Sequence, residues 1–199
     1  MMVGLPESTR IDEINTAKAL VKLKPKMVRI YPVLVIKGTK LEQDYIEKNY
    51  EPLSVVQAVE TCKELVKIFV KHHIDVIRVG LQNTDEISEP GTENSEVVAG
   101  PYHPAFRQLV ESSLWYDAIV NKIKKLNVKV KEVEITANPI DANNVIGHKK
   151  ENILKLKDLY EVDLIVKQDE NIKQGKCDIK VTKEYNDFLE EKTDKTIKI

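Results

Sequence analysis

Three side chains that can bind an anion or transfer a proton recur at intervals of four residues: His103, Arg107 and Glu111. Side chains four residues apart share one face of an α-helix, so a helix starting near Pro104 brings the three together. A histidine at a helix start, beside an arginine and a carboxylate, suits general acid–base catalysis or anion binding. A surface ladder of ion pairs is the alternative interpretation. We take the three residues as candidate catalytic residues.

A second group of candidate residues forms a short basic loop: Gly147, His148, Lys149 and Lys150. The flanking patterns predict a short helix before this loop and a longer helix after it, over 151–160. A glycine-led loop that carries a histidine and two lysines suits the phosphate backbone of a nucleic acid. An ordinary solvated turn is the alternative.

The two cysteines, Cys62 and Cys177, are predicted to pack in the core rather than to do chemistry. Cys62 falls on a helical apolar stripe, and Cys177 falls on an alternating strand pattern. Two distant cysteines cannot by themselves hold a zinc ion or an iron–sulfur cluster. The low cysteine content makes the cytoplasm the expected location.

Alternating strand and helix patterns position these residues in the first two thirds of the chain. Strand, helix and strand follow one another twice in the first eighty residues or so, which is typical of a β/α array with parallel strands. Pro32 lacks an N–H, so regular pairing of its strand is expected to stop near Tyr31. The predicted elements are strand 1–6, helix 9–23, strand 27–37, helical turn 40–50, helix 54–73, strand 75–81, loop 83–96 and helix 104–126.

After Asn127 the pattern changes, and we expect a second domain there. The division gives domains at 1–126 and 127–199, both within an α/β fold class. The predicted elements of the second domain are strand 128–137, short helix 138–146, helix 151–160, strand 163–167, strand 176–182 and helix 183–194.

Composition bounds the possible functions. The chain has 199 residues, of which 42% are hydrophobic and 32% are charged, and its net charge is -1. This content is enough to bury a core, and any nucleic-acid surface must be local because the overall charge is balanced. No apolar run is long enough to span a bilayer.

Three stretches together resemble the C-terminal half of radical SAM proteins: residues 1–6 (MMVGLP), 28–39 (VRIYPVLVIKGT) and 98–112 (VAGPYHPAFRQLVES). The resemblance covers about residues 1–126. It points to proteins related to the Elongator catalytic subunit and often labelled oxygen-independent coproporphyrinogen III oxidase-like. It implies a partial (β/α) barrel in which residues 1–6 end strand five and residues 27–34 form strand six.

In that family the ends of these strands line the S-adenosylmethionine site. The resemblance therefore implies that Gly4, Ile30, Tyr31 and Pro32 neighbour the adenosyl group. The family's Cys-x-x-x-Cys-x-x-Cys loop and its first four strands are absent from this sequence. The full-length enzyme would carry S-adenosylmethionine and a 4Fe-4S cluster. We expect this chain alone to bind neither and to be inactive, as a truncated product or a fragment of a larger enzyme.

Residues 128–194 resemble a type I KH domain, a small α+β fold with the order β-α-α-β-β-α. Residues 145–153 (VIGHKKENI) match the KH signature Val-Ile-Gly-x-x-Gly-x-x-Ile, except that Lys150 replaces the second glycine. KH domains bind single-stranded nucleic acid through this loop and an apolar groove. The resemblance thus implies that residues 147–150 bind RNA.

The combined resemblances predict the C-terminal portion of a radical SAM enzyme that acts on RNA such as tRNA. Two alternatives stay open: a small-molecule enzyme of the coproporphyrinogen III oxidase-like type, and a stand-alone RNA-binding protein. Whether the chain is an enzyme stays undecided at this point. Because a partial barrel exposes a strand edge, we expect residues 1–6 to pair with a second copy or the missing N-terminal half, or to be disordered.

Overall fold

A computed structural model of the chain describes residues 1–126 and 129–185. The chain divides into two compact units, Met1–Leu114 and Trp115–Ile199. The division falls inside helix α4 (Phe106–Lys124), before the domain boundary that the sequence suggests near residue 127. Among the described residues, no helix is long and apolar enough to cross a bilayer.

The first unit combines short strands with amphipathic helices. Strands β1 (Met2–Val3), β2 (Met27–Pro32) and β4 (Asp75–Val79) form a parallel sheet in the order β1-β2-β4. Strand β3 (Val35–Ile36) pairs antiparallel with β5 (Val97–Ala99). This mixed arrangement confirms the α/β class. The elements are β1 (Met2–Val3), α1 (Arg10–Lys22), β2 (Met27–Pro32), β3 (Val35–Ile36), α2 (Lys40–Ile46), α3 (Val55–Lys71), β4 (Asp75–Val79), β5 (Val97–Ala99) and the first part of α4.

Local sequence signals start both long helices that cover this sheet. Thr9 caps α1 and Ser54 caps α3, each in a capping box that satisfies otherwise unpaired backbone N–H groups. The apolar faces of these helices then meet the strands. The buried core consists of Val3, Ala17, Ile30, Ala58, Cys62, Leu65, Phe69, Ile74, Val79, Phe106 and Val110.

Pro32 ends the pairing of β2 on one side only. Towards β4 the last bond runs from the N–H of Gly80 to the carbonyl of Ile30, as expected for a residue without an N–H. Towards β1 the pairing continues, because the N–H of Val33 donates to the carbonyl of Val3. The three parallel strands therefore end at one common edge, where ligands bind in many α/β folds.

Two expectations about the first unit need correction. Of the alternatives for residues 1–6, disorder is wrong for Met2 and Val3, which pair in parallel with β2, whereas pairing with a second copy or with the missing N-terminal half stays a prediction. Helix α4 begins at Phe106 rather than at Pro104 and runs without interruption to Lys124. Within the described residues the sheet has only three strands and does not close, so β1 and β4 are its edges.

The second unit is a small α+β fold. Its sheet has the order β7-β6-β8, where β6 is Val130–Ala137, β7 is Asp163–Gln168 and β8 is Cys177–Glu184. Strand β7 runs parallel to β6, and β8 runs antiparallel to it. The elements are the second part of α4, β6 (Val130–Ala137), α5 (Pro139–Ile146), a 3-10 turn (His148–Lys150), α6 (Glu151–Tyr160), β7 (Asp163–Gln168) and β8 (Cys177–Glu184).

The order strand, helix, helix, strand, strand follows the sequence pattern up to β8. The predicted helix 183–194 is wrong at its start, because β8 continues to Glu184, and the rest of it lies outside the described residues. The buried core of the second unit consists of Ile119, Val120, Val130, Val133, Ile135, Ala137, Val145, Leu156, Val162 and Leu164.

Candidate functional site

Glycines follow two strands of the parallel sheet at the edge where the strands end: Gly4 after β1 and Gly80 after β4. Both have positive φ angles, 82° and 84°. A Cβ on Gly4 would lie 3.0 Å from Leu53, and a Cβ on Gly80 would lie 3.0 Å from Phe106. Both positions therefore need glycine, for the backbone angle and for close packing over the strand ends.

The backbone of Gly4 is held from both sides by buried polar groups. Its N–H donates to the carboxylate of Glu13, and its carbonyl accepts a 2.6 Å hydrogen bond from the hydroxyl of Tyr50. Glu13 is only 5% exposed. Burial raises the pKa of Glu13, although the bond from Gly4 opposes the rise. Burial, followed by the nearby Glu13 charge, raises the pKa of Tyr50. Hydrogen bonds within the first unit therefore fix the backbone position of Gly4.

A narrow cleft, which we name the strand-end cleft, lies at the same edge. Its volume is about 10 Å³, roughly the space of one water molecule, so S-adenosylmethionine does not fit in it. Of the positions implied for the adenosyl group, Pro32 lines this cleft, Tyr31 is half-buried and Ile30 is fully buried in the core. The cleft is lined by Pro32, Leu34, Gly80, Leu81, Pro101, Tyr102, His103 and Phe106.

The predicted shared helix face of His103, Arg107 and Glu111 is only partly correct. His103 precedes α4, and its Nδ1 accepts a 3.0 Å bond from the N–H of Ala105 while the residue lines the strand-end cleft. Arg107 donates to Glu111 over 2.7 Å and to the carbonyl of Ile77 in β4 over 3.1 Å. Arg107 therefore ties α4 to β4, which agrees with the ion-pair alternative for Arg107 and Glu111.

A second cleft, which we name the arginine cleft, has a volume of about 190 Å³ and lies between residues 78–82 and 104–108. Arg78 and Arg107 both line it, next to the start of α4. Two guanidinium groups near a helix start favour an anion. Sequence reasoning missed Arg78 and Gly80; the signal that could have found Gly80 is a glycine directly after a strand, as at Gly4.

The basic loop of the second unit has an unusual backbone. Gly147, Lys149 and Lys150 have φ angles of 85°, 50° and 65°. Lys149 and Lys150 are exposed, and no side chain caps the start of α6 that follows. The first N–H groups of α6 and two ammonium groups therefore occur at the same end of the helix, which is an arrangement that favours phosphate.

Asn152 supports the basic loop from the interior. Its side-chain amide donates to the carbonyls of Asn144 and Val145, both over 3.1 Å, and so satisfies the end of α5. A Cβ on Gly147 would lie 2.7 Å from the backbone nitrogen of Asn152. Sequence reasoning gave Asn152 no role; the signal is a polar residue inside an otherwise apolar helix face, which only the structure shows to be 2% exposed.

The described residues do not fit an iron–sulfur cluster. Across residues 1–126 and 129–185, no group of three or more His, Cys, Asp or Glu side chains is placed to hold a metal ion. Burial, with a smaller contribution from Glu13, raises the pKa of Cys62 to about 12, so its thiol stays protonated. Burial also raises the pKa of Cys177, which lies in the other unit.

Residues 25–116 match the family model of the Radical_SAM C-terminal domain. This match supports a radical SAM C-terminal part over residues 25–116. The matched segment runs from the start of β2 into α4 and contains both clefts. The finer likenesses to the Elongator subunit, to coproporphyrinogen III oxidase and to KH domains stay predictions.

A stretch of 89 residues is 33% identical to the uncharacterized protein MJ0486 of Methanocaldococcus jannaschii. The stretch covers 45% of this chain and 26% of that protein. The chain thus spans about a quarter of the length of the curated relative that it matches.

Proposed function

We propose that this chain is the C-terminal portion of a radical SAM enzyme that modifies RNA such as tRNA. The observation that carries the proposal is the joining, in one chain, of a radical SAM C-terminal segment to a small α+β unit with an exposed basic loop. The first unit completes the catalytic barrel, and the second unit presents the substrate.

The first unit contributes barrel strands five and six as β1 and β2. Among residues 1–126 and 129–185 only one edge of β1 is paired, and its other edge accepts the remaining strands, either from a separate polypeptide or from an N-terminal extension that carries the cluster. S-adenosylmethionine, whose adenosyl group would supply the radical chemistry, belongs to that composite site rather than to the strand-end cleft alone. Tyr31 and Pro32 would contact it by side chain, and Gly4 and Ile30 by backbone.

The second unit contributes RNA binding through the basic loop. Lys150 stands where the KH signature has its second glycine, and its φ angle of 65° is one that glycine adopts readily. A left-handed backbone at this position supports the proposal although the residue is not glycine. His148, Lys149 and Lys150 would contact phosphates.

The strand-end cleft and the arginine cleft would face the substrate in the complete enzyme. His103 would act at the substrate as a proton carrier, and Arg107 with Arg78 would bind a phosphate of the RNA. Glu111 would hold the Arg107 side chain in place.

RNA binding is the first test. The chain is titrated into fluorescein-labelled tRNA and into a labelled single-stranded oligonucleotide between about 50 and 200 mM salt. We expect affinity that falls steeply with salt, because lysine–phosphate contacts release counterions. Absence of salt-sensitive binding to either RNA would count against the RNA function and favour the small-molecule alternative.

The catalytic part has a separate test. The gene is sequenced upstream of the Met1 codon, and we expect a continuous frame or a neighbouring frame that encodes three clustered cysteines. The chain is then co-expressed with that polypeptide, and retention of S-adenosylmethionine is measured by equilibrium dialysis. RNA binding without any such partner would favour a stand-alone RNA-binding protein.

A further inference from the structure

A pocket in the second unit lies at the opposite end of α6 from the basic loop. Its volume is about 280 Å³. Helix α6 has 10 residues and is therefore roughly 15 Å long, so the pocket and the loop are separate places on the same unit. The pocket, which we name the tyrosine pocket, is lined by Ile123, Lys129, Val130, Tyr160, Glu161, Val162 and Tyr185.

The tyrosine pocket has an apolar floor and two aromatic walls. Val130 is 6% exposed and Val162 is 2% exposed, so both belong to the core beneath the pocket. Tyr185 is held at two points, since its N–H donates to the carbonyl of Lys129 over 2.9 Å and its hydroxyl donates to the carbonyl of Glu161 over 3.3 Å. A ring fixed in this way loses little conformational entropy when a planar group stacks on it.

Positive charge surrounds the two rings. The ammonium group of Lys124 lies 5.5 Å from the centre of the Tyr160 ring, and that of Lys131 lies 5.7 Å from the centre of the Tyr185 ring. Lys129 is a third exposed lysine at the rim, and Glu161 is the acidic residue in the lining. The acidic Asp163 beside the pocket is paired with Lys157 over 2.7 Å. Aromatic rings among lysines match a base joined to a phosphate.

We propose that the tyrosine pocket binds one nucleotide of single-stranded RNA, with the base beside Tyr160 and Tyr185 and the phosphate near the three lysines. The carboxylate of Glu161 accepts a hydrogen bond from an N–H of the base, such as the amino group of adenine or the N3–H of uracil. The inference rests on the proposed RNA function, but the site is distinct from the basic loop. An RNA strand long enough to reach both ends of α6 therefore binds at both the basic loop and the tyrosine pocket.

The experiment that tests the pocket uses mononucleotides, which do not need the loop. The full chain, carbon-13 labelled in its tyrosines, is titrated with AMP and UMP, and the ring resonances are followed by NMR. We expect saturable shifts of Tyr160 and Tyr185, and no saturation at these rings with ribose 5-phosphate, which lacks the base. No saturable shift with either nucleotide, or an equal response to ribose 5-phosphate, would overturn the proposal.

Variants then separate the pocket from the loop. Tyr160→Leu removes a ring and is expected to weaken binding of a single-stranded RNA by roughly tenfold, whereas Tyr160→Phe retains it. Tyr116→Leu is the matched control, because Lys155 lies 5.8 Å from that ring but Tyr116 does not line the pocket. Should Tyr160→Leu fail to fold, as judged by circular dichroism, Tyr185→Leu takes its place.

The outcomes distinguish this proposal from the RNA function itself. If loop variants abolish RNA binding while Tyr160→Leu and Tyr185→Leu bind normally, the pocket proposal is overturned and the RNA function stands. If the wild type binds AMP or UMP at the pocket but binds no RNA, the nucleotide site stands and the RNA function fails.

Discussion

Glu13 accepts a hydrogen bond from the backbone N–H of Gly4, although its side chain is almost wholly removed from water. The contact joins the first turn of α1 to the end of β1, at the edge where the parallel strands stop. An isolated carboxylate in such a place is costly unless it is hydrogen-bonded. The two residues therefore link the stability of this edge to pH.

Stability of the first unit should fall as pH rises above the ordinary carboxyl range. Since the folded-state pKa of Glu13 is raised above 4.5, the folded chain holds more protons than the unfolded chain in that window. The free energy of unfolding therefore decreases from about pH 4.5 up to the raised pKa and is then level. We expect Glu13→Gln to remove this decrease, as measured by amide hydrogen exchange in α1 at several pH values.

Glu64→Gln is the matched control for that experiment. Glu64 is a partly exposed residue of α3 that pairs with Arg10 over 2.7 Å, and such surface pairs contribute less than about 1 kcal/mol. The control should keep the pH dependence of the wild type. An identical pH slope in the wild type and in Glu13→Gln would contradict the assignment to Glu13.

Gly147→Ala should destabilise the second unit by roughly 3 kcal/mol or more, because the added Cβ meets the backbone of Asn152 at 2.7 Å and the φ angle is 85°. Gly175→Ala is the control: its φ angle is 74°, but nothing lies within 4 Å of the added Cβ. We expect the control to cost about 1 kcal/mol. Urea unfolding followed by circular dichroism measures both, and equal losses would show that packing against Asn152 is not limiting.

Lys149→Ala and Lys150→Ala should each weaken RNA binding and make it less sensitive to salt. Removing one phosphate contact lowers the slope of log affinity against log salt by roughly 0.7 to 1. Fluorescence anisotropy at several salt concentrations gives this slope. Lys18→Ala, an exposed lysine of α1 outside the proposed sites, should leave the slope unchanged; an equal effect at Lys18 would indicate non-specific binding.

Arg107→Ala should cost more stability than Glu111→Gln. Arg107 makes two contacts, to Glu111 and to the carbonyl of Ile77, whereas Glu111→Gln weakens the ion pair and leaves the carbonyl contact in place. We expect less than about 1 kcal/mol for Glu111→Gln and about 1 to 2 kcal/mol for Arg107→Ala. Hydrogen exchange in β4 reports the difference, and equal effects would argue that the Ile77 contact adds nothing.

Cys62 should resist alkylation in the native chain. Its thiol is fully buried, and its pKa of about 12 leaves almost no thiolate at pH 8. Iodoacetamide should label Cys177 slowly and Cys62 only after denaturation, as read by mass spectrometry of the two peptides. Rapid native labelling of Cys62 would mean that α3 opens locally.

Much of the fold follows from local sequence signals. The helical patterns over 9–23 and 54–73 and the alternating pattern over 128–137 predict α1, α3 and β6 to within two residues at each end. These signals depend on neighbours in the chain, so they can be recognised without a structure. The family match over residues 25–116 likewise follows the motifs around Pro32 and His103.

Contacts between distant parts of the chain could not be predicted in this way. The hydrogen bond from the hydroxyl of Tyr50 to the carbonyl of Gly4 joins residues 46 positions apart, and no local sequence pattern predicts it. Phe106 packs over Gly80, which lies 26 positions earlier in the chain, and local helix signals do not predict this contact. The sequence also does not predict that Arg78 and Arg107 line one cleft. The periodicity of a strand or helix shows which of its faces is buried, but it does not show which other element packs against that face.

The division between Leu114 and Trp115 places the chain's one tryptophan with the core of the second unit. The tryptophan emission spectrum should therefore report the unfolding of the second unit and should not respond to the unfolding of the first unit. A mismatch between the fluorescence midpoint and the loss of helical signal would reveal that the two halves melt independently.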